Sequence, residues 1–164
     1  MLLEFLLYIT FKMLLKNIKY VLRILVIDIT FLGSLSFFLF LSFFMFLLDY
    51  NHFSYKIIIS LVISYILVGI IRFIYYKPRP NKQKYSNLLE KLDSSSFPSL
   101  HAMRISILFV LFMLNFNIFL AVFFFLISII VCYSRIYLKK HYLIDIIFGY
   151  LIGLIIGYLI NILF

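Results

Sequence analysis

Residues 142–163 read YLIDIIFGYLIGLIIGYLINIL, a run in which Asp145 is the single charged side chain. A helix needs about 20 apolar residues to cross the roughly 30 Å hydrocarbon core of a bilayer. The run therefore predicts a membrane-spanning helix, and lipid rather than water as the solvent of this part of the chain.

The rest of the chain has the same character. Of its 164 residues 66% are hydrophobic and 13% are charged, whereas an average soluble chain is about 45–50% apolar and about 25% charged. Five stretches approach the length of a span, the third being short: Ile24–Leu48, Ile57–Tyr76, His101–Leu114, Ile118–Arg135 and Tyr142–Leu163. The length permits one domain. We therefore expect an all-α, polytopic bundle of five transmembrane helices in a single membrane-embedded domain, residues 1–164, with residues 24–164 as the helical core.

The first 23 residues have a different pattern. Their basic side chains recur at helical spacing and so share one face: Lys12, Lys16, Lys19 and Arg23. Leucine and phenylalanine fill the other faces, which is typical of an amphipathic helix lying in the membrane interface. A sixth, tilted span is the alternative. The segment has neither a basic start nor an obvious small-residue cleavage site, so it is not predicted to be a removable signal peptide.

The net charge of +9 is concentrated in clusters. Two clusters lie beyond the N-terminal one: Arg72, Lys77, Arg79, Lys82, Lys84, Lys91 and Arg104 around a central loop, and Arg135, Lys139 and Lys140 in a second loop. Such clusters often contact anionic lipid headgroups, and composition alone favours that interpretation over a phosphate-binding site. The lone cysteine, Cys132, rules out an intrachain disulfide and a cysteine-rich metal site, and its apolar surroundings predict a core residue.

The central loop, residues 77–99, is the one extended polar segment. Pro78 and Pro80 end the helix before it, and Ser99 stands where an N-cap would begin the next helix. A polar turn, residues 115–117, separates the third and fourth spans. The third span crosses and the fourth returns, so residues 77–101 and 135–145 are expected at the same membrane face.

These two loops contain the groups that phosphoryl transfer needs. Catalysis of that reaction requires positive charge and hydrogen-bond donors around three phosphoryl oxygens. Arg79 and Arg135 supply planar donor pairs that match phosphate geometry. Ser99 offers a hydroxyl, and the backbone N–H groups of Leu100 and His101 offer donors at a helix N-terminus.

A histidine can carry the reaction itself. Neutral imidazole is nucleophilic near neutral pH, so His141 can attack phosphorus. Asp145 lies one helical turn later, and its carboxylate can hold one imidazole nitrogen protonated and orient the other. His101 can protonate the leaving alkoxide.

Three other charged residues near the predicted spans have plainer explanations. His52, near a loop tip, is expected in the headgroup layer, and Asp28 is expected to reach the interface or pair with a neighbour. Arg104, one turn beyond His101, either borders the site or contacts structure and headgroups.

The clusters together resemble the three-part signature of the type 2 phosphatidic acid phosphatase (PAP2) superfamily. The signature reads: a basic residue, six residues and Arg-Pro; Pro-Ser-Gly-His; and Ser-Arg, five residues, His, three residues, Asp. The third part matches at every specified position, Ser134-Arg135 to His141 and Asp145. The resemblance extends into the helix that contains Gly149, Gly153 and Gly157, and covers nearly half of the chain.

Two positions depart from the signature. Arg72 stands where the family usually has lysine, which keeps the charge and changes its geometry. Leu100 replaces the usual glycine, which is acceptable if the residue contributes only its backbone N–H.

The resemblance implies a role for each matching residue. The expected phosphate-binding residues are Arg72, Arg79, Ser99, Leu100 and Arg135. His101 would be the general acid, His141 the nucleophile that forms a phosphohistidine, and Asp145 the residue that orients it. Water would then hydrolyse the intermediate, with His101 as base. The resemblance implies neither a metal nor another cofactor.

The resemblance also suggests substrates and a location. Expected partners are the bilayer and a lipid phosphate or diphosphate, such as an undecaprenyl-diphosphate-like carrier, phosphatidylglycerophosphate, phosphatidic acid or a lipid A phosphate, and no nucleic acid. A microbial plasma membrane with the site facing away from the cytoplasm is favoured by analogy. The basic N-terminal helix argues for a cytoplasmic site if it does not span. A lipid phosphotransferase with the same intermediate, and a non-enzymatic protein that binds anionic lipid, remain alternatives.

Overall fold

The computed structural model describes residues 2–81 and 85–164, with side chains from residue 12 onward. Lys82 and Lys84, which the sequence places in the central basic cluster, lie outside the described residues. The described chain is all-helical, as predicted, and its α-helices are α1 Leu2–Thr30, α2 Leu35–Leu47, α3 Asn51–Ile74, α4 Leu88–Ser94, α5 Leu100–Asn115, α6 Ile118–Tyr137 and α7 Leu143–Leu163.

Three of these helices, α3, α6 and α7, are long and apolar enough to cross a bilayer. The chain is therefore an integral membrane protein. A fourth crossing is available where Lys12–Gly33 and Leu35–Leu47 form a pair bent by 54°. The central helix α5 has 16 residues, as the short third stretch predicted. Of the five or six predicted spans, the described helices thus support three to four by length and composition.

The first predicted span, Ile24–Leu48, is wrong as one continuous helix. The chain breaks at a short 3-10 turn, Phe31–Gly33, and α2 begins after Ser34. The Ser34 hydroxyl accepts a hydrogen bond from the Phe37 N–H at 3.1 Å, which satisfies an orphan donor of the new helix. Residues 24–30 belong instead to α1, so the N-terminal segment is continuous with them rather than a separate helix. Its described basic side chains are exposed.

The helix α5 lies at the centre of the bundle, and α7 packs closely against it. Glycines of α7 make this approach possible, because a Cβ at Gly153 would lie 2.0 Å from the Ser106 Oγ and 2.3 Å from the Met103 carbonyl oxygen. Small residues at helix interfaces in lipid allow such backbone contact. The core around α5 includes Phe38, Ile57, Met103, Ile105, Leu108, Leu111 and Val131.

The two ends of the bundle have different chemistry. At one end α3 and α6 finish while α5 and α7 begin, and the two basic loops meet there. At the other end the buried Lys56 ammonium donates to the Oδ1 atoms of Asn115 at 3.1 Å and Asn161 at 2.8 Å. These bonds join α3, α5 and α7 at the end remote from the basic loops.

Candidate active site

A cavity of about 360 Å³ opens between the two basic loops. It brings together six of the predicted site residues: Arg72, Arg79, Leu100, His101, Arg135 and His141. The predicted convergence of residues 77–101 and 135–145 at one end of the bundle is therefore present. Ser99 and Asp145 do not line the cavity, and both are fully buried.

His141 lies in the turn between α6 and α7 and is 3% exposed. Its Nδ1 lies 2.6 Å from the carbonyl oxygen of Ser96. A carbonyl oxygen can only accept, so Nδ1 carries the proton and Nε2 keeps its lone pair. Burial, together with the positive charge of Arg135, lowers the pKa of His141 to about 3. The imidazole is therefore neutral at physiological pH, which is the state that a nucleophile needs.

The Asp145 carboxylate has two hydrogen-bond partners, and neither is His141. Its Oδ1 accepts from the Lys77 Nζ at 2.5 Å and its Oδ2 from the Tyr142 N–H at 2.9 Å. The carboxylate therefore does not make the expected hydrogen bond to the imidazole. The Ser96 carbonyl is the hydrogen-bond partner of His141 instead. The physical reason is that Asp145 occupies the third position of α7, where a carboxylate reaches back to the N-cap residue.

Two of the cavity arginines, Arg72 and Arg79, are held by backbone carbonyl groups. The Nη1 of Arg72 donates to the Leu92 carbonyl and its Nη2 to the Pro98 carbonyl, each at 3.2 Å. Arg79 donates to the Asp93 carbonyl at 2.5 Å, and burial lowers its pKa from the ordinary value although Asp93 raises it. These bonds fix guanidinium groups in the cavity wall, so the charges are oriented before any ligand arrives.

Arg135 completes the basic wall. It is 7% exposed, and its buried Nε has no hydrogen-bond partner among the described residues. A buried donor without a partner is costly. A hydrogen bond from Arg135 to an anion bound in this cavity would therefore be favourable.

The start of α5 agrees with the predicted N-cap. The Ser99 hydroxyl accepts from the Ala102 N–H at 3.5 Å, which places this hydroxyl on the helix rather than in the cavity. The Ser99 N–H donates to the Asp145 carbonyl at 2.9 Å, so the two motif segments are joined through their backbones. A Cβ at Gly149 would lie 2.5 Å from the Ser99 carbonyl oxygen, which explains the glycine there.

Several cavity residues carry no signal in the sequence motifs. They are Tyr65, Val68 and Gly69 of α3 and Leu89, Leu92 and Asp93 of α4. Arg104, which the sequence left between a site role and a structural one, also lines the cavity. Its spacing of three residues from His101 was the available signal.

The remaining ionisable candidates lie elsewhere. Asp28 lines a second cavity, which also borders His101. His52 is exposed and lies near Lys56, at the end remote from the basic loops. Among the described side chains no group of three or more histidine, cysteine or acidic residues is arranged to hold a metal ion.

The family model of the PAP2 superfamily matches residues 53–164. The match covers well over half of the chain, and the chain therefore belongs to the PAP2 superfamily. No curated protein sequence matches it.

Two solved structures share the fold. One is LpxE from Aquifex aeolicus, with a TM-score of 0.73 and 23% identity over 86% of each chain. The other is a transmembrane PAP2-type phosphatidylglycerolphosphate phosphatase from Bacillus subtilis, with a TM-score of 0.70 and 22% identity over 87% of this chain and 76% of that one. The family match and the apolar helices together define a membrane protein of the PAP2 superfamily.

Proposed function

We propose that this protein hydrolyses a lipid phosphate or diphosphate through a phosphohistidine on His141. The observation that carries the proposal is the state of that imidazole. Its Nδ1 is committed to the Ser96 carbonyl, it is kept neutral by burial, and it lines a cavity with three predicted phosphate-binding arginines.

In the first step the Nε2 of His141 attacks phosphorus, and the bond from phosphorus to the leaving oxygen breaks. The negative charge of the bound phosphate favours the protonated form of His101, and His101 gives this proton to that oxygen when it leaves as an alkoxide. Arg72, Arg79 and Arg135 stabilise the charge that develops on the phosphoryl oxygens.

In the second step water attacks the phosphohistidine and the phosphorus–nitrogen bond breaks. His101, now neutral, takes a proton from the water, and inorganic phosphate leaves. Asp145 acts indirectly in this account. Its contacts with Lys77 and the Tyr142 N–H fix the start of α7, and with it the turn that contains His141.

The apolar surroundings of the site support a lipid substrate. The phosphate enters the basic cavity while the hydrocarbon part stays among the helices. Phosphatidylglycerolphosphate, the substrate named for the Bacillus subtilis structure, is one candidate, beside phosphatidic acid and a polyprenyl diphosphate carrier.

The bundle is proposed to act as one membrane-embedded domain with five crossings, α2, α3, α5, α6 and α7, in a microbial plasma membrane. The site is proposed to face away from the cytoplasm. Because α7 leads away from the site, Phe164 would then lie in the cytoplasm. Green fluorescent protein fused after Phe164 should fluoresce, whereas an alkaline phosphatase fusion at that position should be inactive. The reverse pair of results would place the site on the cytoplasmic side.

Phosphate release from purified protein tests the activity. Wild type in detergent, with excess chelator and no alcohol acceptor, should release phosphate from a short-chain lipid phosphate, and His141→Gln should not. Release that appears only when an alcohol is added would identify a phosphotransferase. Binding of anionic lipid by both proteins without turnover would identify a non-enzymatic function.

A further inference from the structure

The cavity contains a fourth guanidinium group that the three-part signature leaves without a role. Arg104 is 3% exposed and lines the same cavity as His101 and His141. Among the residues lining that cavity, four are arginines and Asp93 is the one carboxylate. A lipid monophosphate carries at most about two negative charges, so this wall has more positive charge than one phosphate requires.

Arg104 is held in a fixed position. Its Nη1 donates to the Gly33 carbonyl at 3.1 Å and its Nη2 to the Tyr65 hydroxyl at 3.2 Å. Its guanidinium carbon lies 5.1 Å from the centroid of the Tyr65 ring, within the range of a cation–π contact.

These contacts leave the charge of Arg104 uncompensated. A guanidinium has five N–H donors, and the two contacts use two of them. The Nε is buried without a hydrogen-bond partner in the described part of the chain, and no described carboxylate forms an ion pair with Arg104. A buried cation without a counterion is costly, so an anion is the expected neighbour.

The helix directions place this charge deeper than the reacting groups. The helix α5 runs from the basic loops towards the other end, and Arg104 follows His101 by three residues, about 4.5 Å along the axis. Tyr65 precedes Arg72 by two turns on α3, which runs in the opposite direction to α5. Tyr65 therefore lies deeper than Arg72, at a depth similar to that of Arg104. Val68, Gly69 and Leu100 give the neighbouring wall an apolar surface.

We infer that Arg104, positioned by Tyr65, binds the second phosphate of a lipid diphosphate. This inference rests on the proposed function and names the substrate class. The terminal phosphorus bonds to the Nε2 of His141 as its bond to the bridging oxygen breaks. The electron pair stays on that oxygen, and the lipid monophosphate leaves beside Arg104. Water then cleaves the phosphorus–nitrogen bond and releases inorganic phosphate.

The test compares farnesyl diphosphate with farnesyl monophosphate in detergent. Charge-assisted hydrogen bonds contribute about 1.5–3 kcal/mol, so Arg104→Met should lower the ratio of kcat/KM for diphosphate over monophosphate on the order of 10- to 100-fold. Tyr65→Phe keeps the charge of Arg104 but removes the hydroxyl that positions it, so this variant should lower the ratio less. Arg23→Met, the same substitution at an exposed position on α1, should leave the ratio at the wild-type value.

A binding measurement separates this inference from the proposed function. Methylenediphosphonate, which is not hydrolysed, should bind wild type more tightly than inorganic phosphate does, and Arg104→Met should lose that preference. Wild type that hydrolyses neither farnesyl compound would overturn the proposed function, and the binding preference would still decide the role of Arg104.

Three results would overturn the inference: an equal loss of both activities in Arg104→Met, an unchanged ratio, or wild type without a preference for the diphosphonate. Each of these results would limit Arg104 to a structural role, in which its hydrogen bonds hold Gly33 against Tyr65 of α3. If Arg104→Met does not fold, Arg104→Lys and Tyr65→Phe replace it. Both keep a buried cation, and each should lower the diphosphate-to-monophosphate ratio by removing a contact that positions the charge.

Discussion

The Nζ of Lys77 lies 2.5 Å from the Oδ1 of Asp145, and the Asp145 side chain is completely buried. This pair joins the loop that follows α3 to the start of α7, the helix that begins just after His141. Removing one partner of a buried ion pair leaves an uncompensated charge, which typically costs about 3–5 kcal/mol.

The pair gives a prediction for double variants. Lys77→Met should lower the melting temperature strongly, because it leaves a buried carboxylate alone. Asp145→Asn keeps an acceptor for the Tyr142 N–H, so the double variant Lys77→Met/Asp145→Asn should recover part of the loss. Thermal unfolding in detergent measures all four proteins, and strictly additive losses would show that the two side chains do not interact.

Low pH should destabilise the folded protein, because His141 is buried as a neutral imidazole. Its pKa is about 3 in the folded protein and about 6.5 when unfolded, so only the unfolded chain binds a proton here between those values. The contribution of His141 to stability is therefore complete above about pH 6.5 and is lost as the pH falls towards 3.

The melting temperature should consequently fall less between about pH 7 and pH 4 in His141→Gln than in wild type. His52→Gln, an exposed histidine at the other end of the bundle, is the control and should follow wild type. Equal slopes for wild type and His141→Gln would contradict a buried neutral imidazole.

The glycines of α7 and α3 should differ in their tolerance of a methyl group. At Gly153 a Cβ would overlap Ser106, whereas at Gly69 nothing lies within 4 Å of it. Overpacking costs about 1–3 kcal/mol, so Gly153→Ala should melt well below wild type while Gly69→Ala should melt at or above it. Equal melting temperatures of the two variants would refute the close contact between α5 and α7.

The phosphate-binding arginines should affect turnover rather than folding. Arg79→Ala and Arg135→Ala should each reduce kcat on the order of 100-fold, the loss expected when one donor to developing charge is removed. Lys139→Ala, an exposed residue of the same loop, is the control. Phosphate release with either arginine variant at the wild-type rate would remove that residue from the proposed site.

Sequence patterns predicted the local features with strong chemical signatures. The N-cap at Ser99 and the polar turn at residues 115–117 follow from side chains that compete for backbone hydrogen bonds. The spacing from Arg135 to His141 predicted the second basic loop. The third predicted span crosses and the fourth returns, which predicted that the two basic loops share one membrane face.

Other features depend on tertiary contacts that no local pattern encodes. The partner of His141 is the Ser96 carbonyl, and every residue has such a group. The break at Gly33 reflects close packing, because a Cβ there would lie 3.1 Å from the His101 ring and 3.0 Å from Val131. Apolar residues continue on both sides of the break, so hydropathy predicted one span.

Trapping the phosphoenzyme distinguishes His141 as the nucleophile from His101 as the proton donor. With a lipid monophosphate labelled in its phosphate, wild type quenched in the first turnover should carry an acid-labile phosphohistidine, and His141→Gln should carry none. His101→Gln should form the same intermediate, more slowly from a lipid monophosphate than from an aryl phosphate, whose leaving group does not need the proton. Labelling that persists in His141→Gln and disappears in His101→Gln with both substrates would show that the two histidines have the reverse roles.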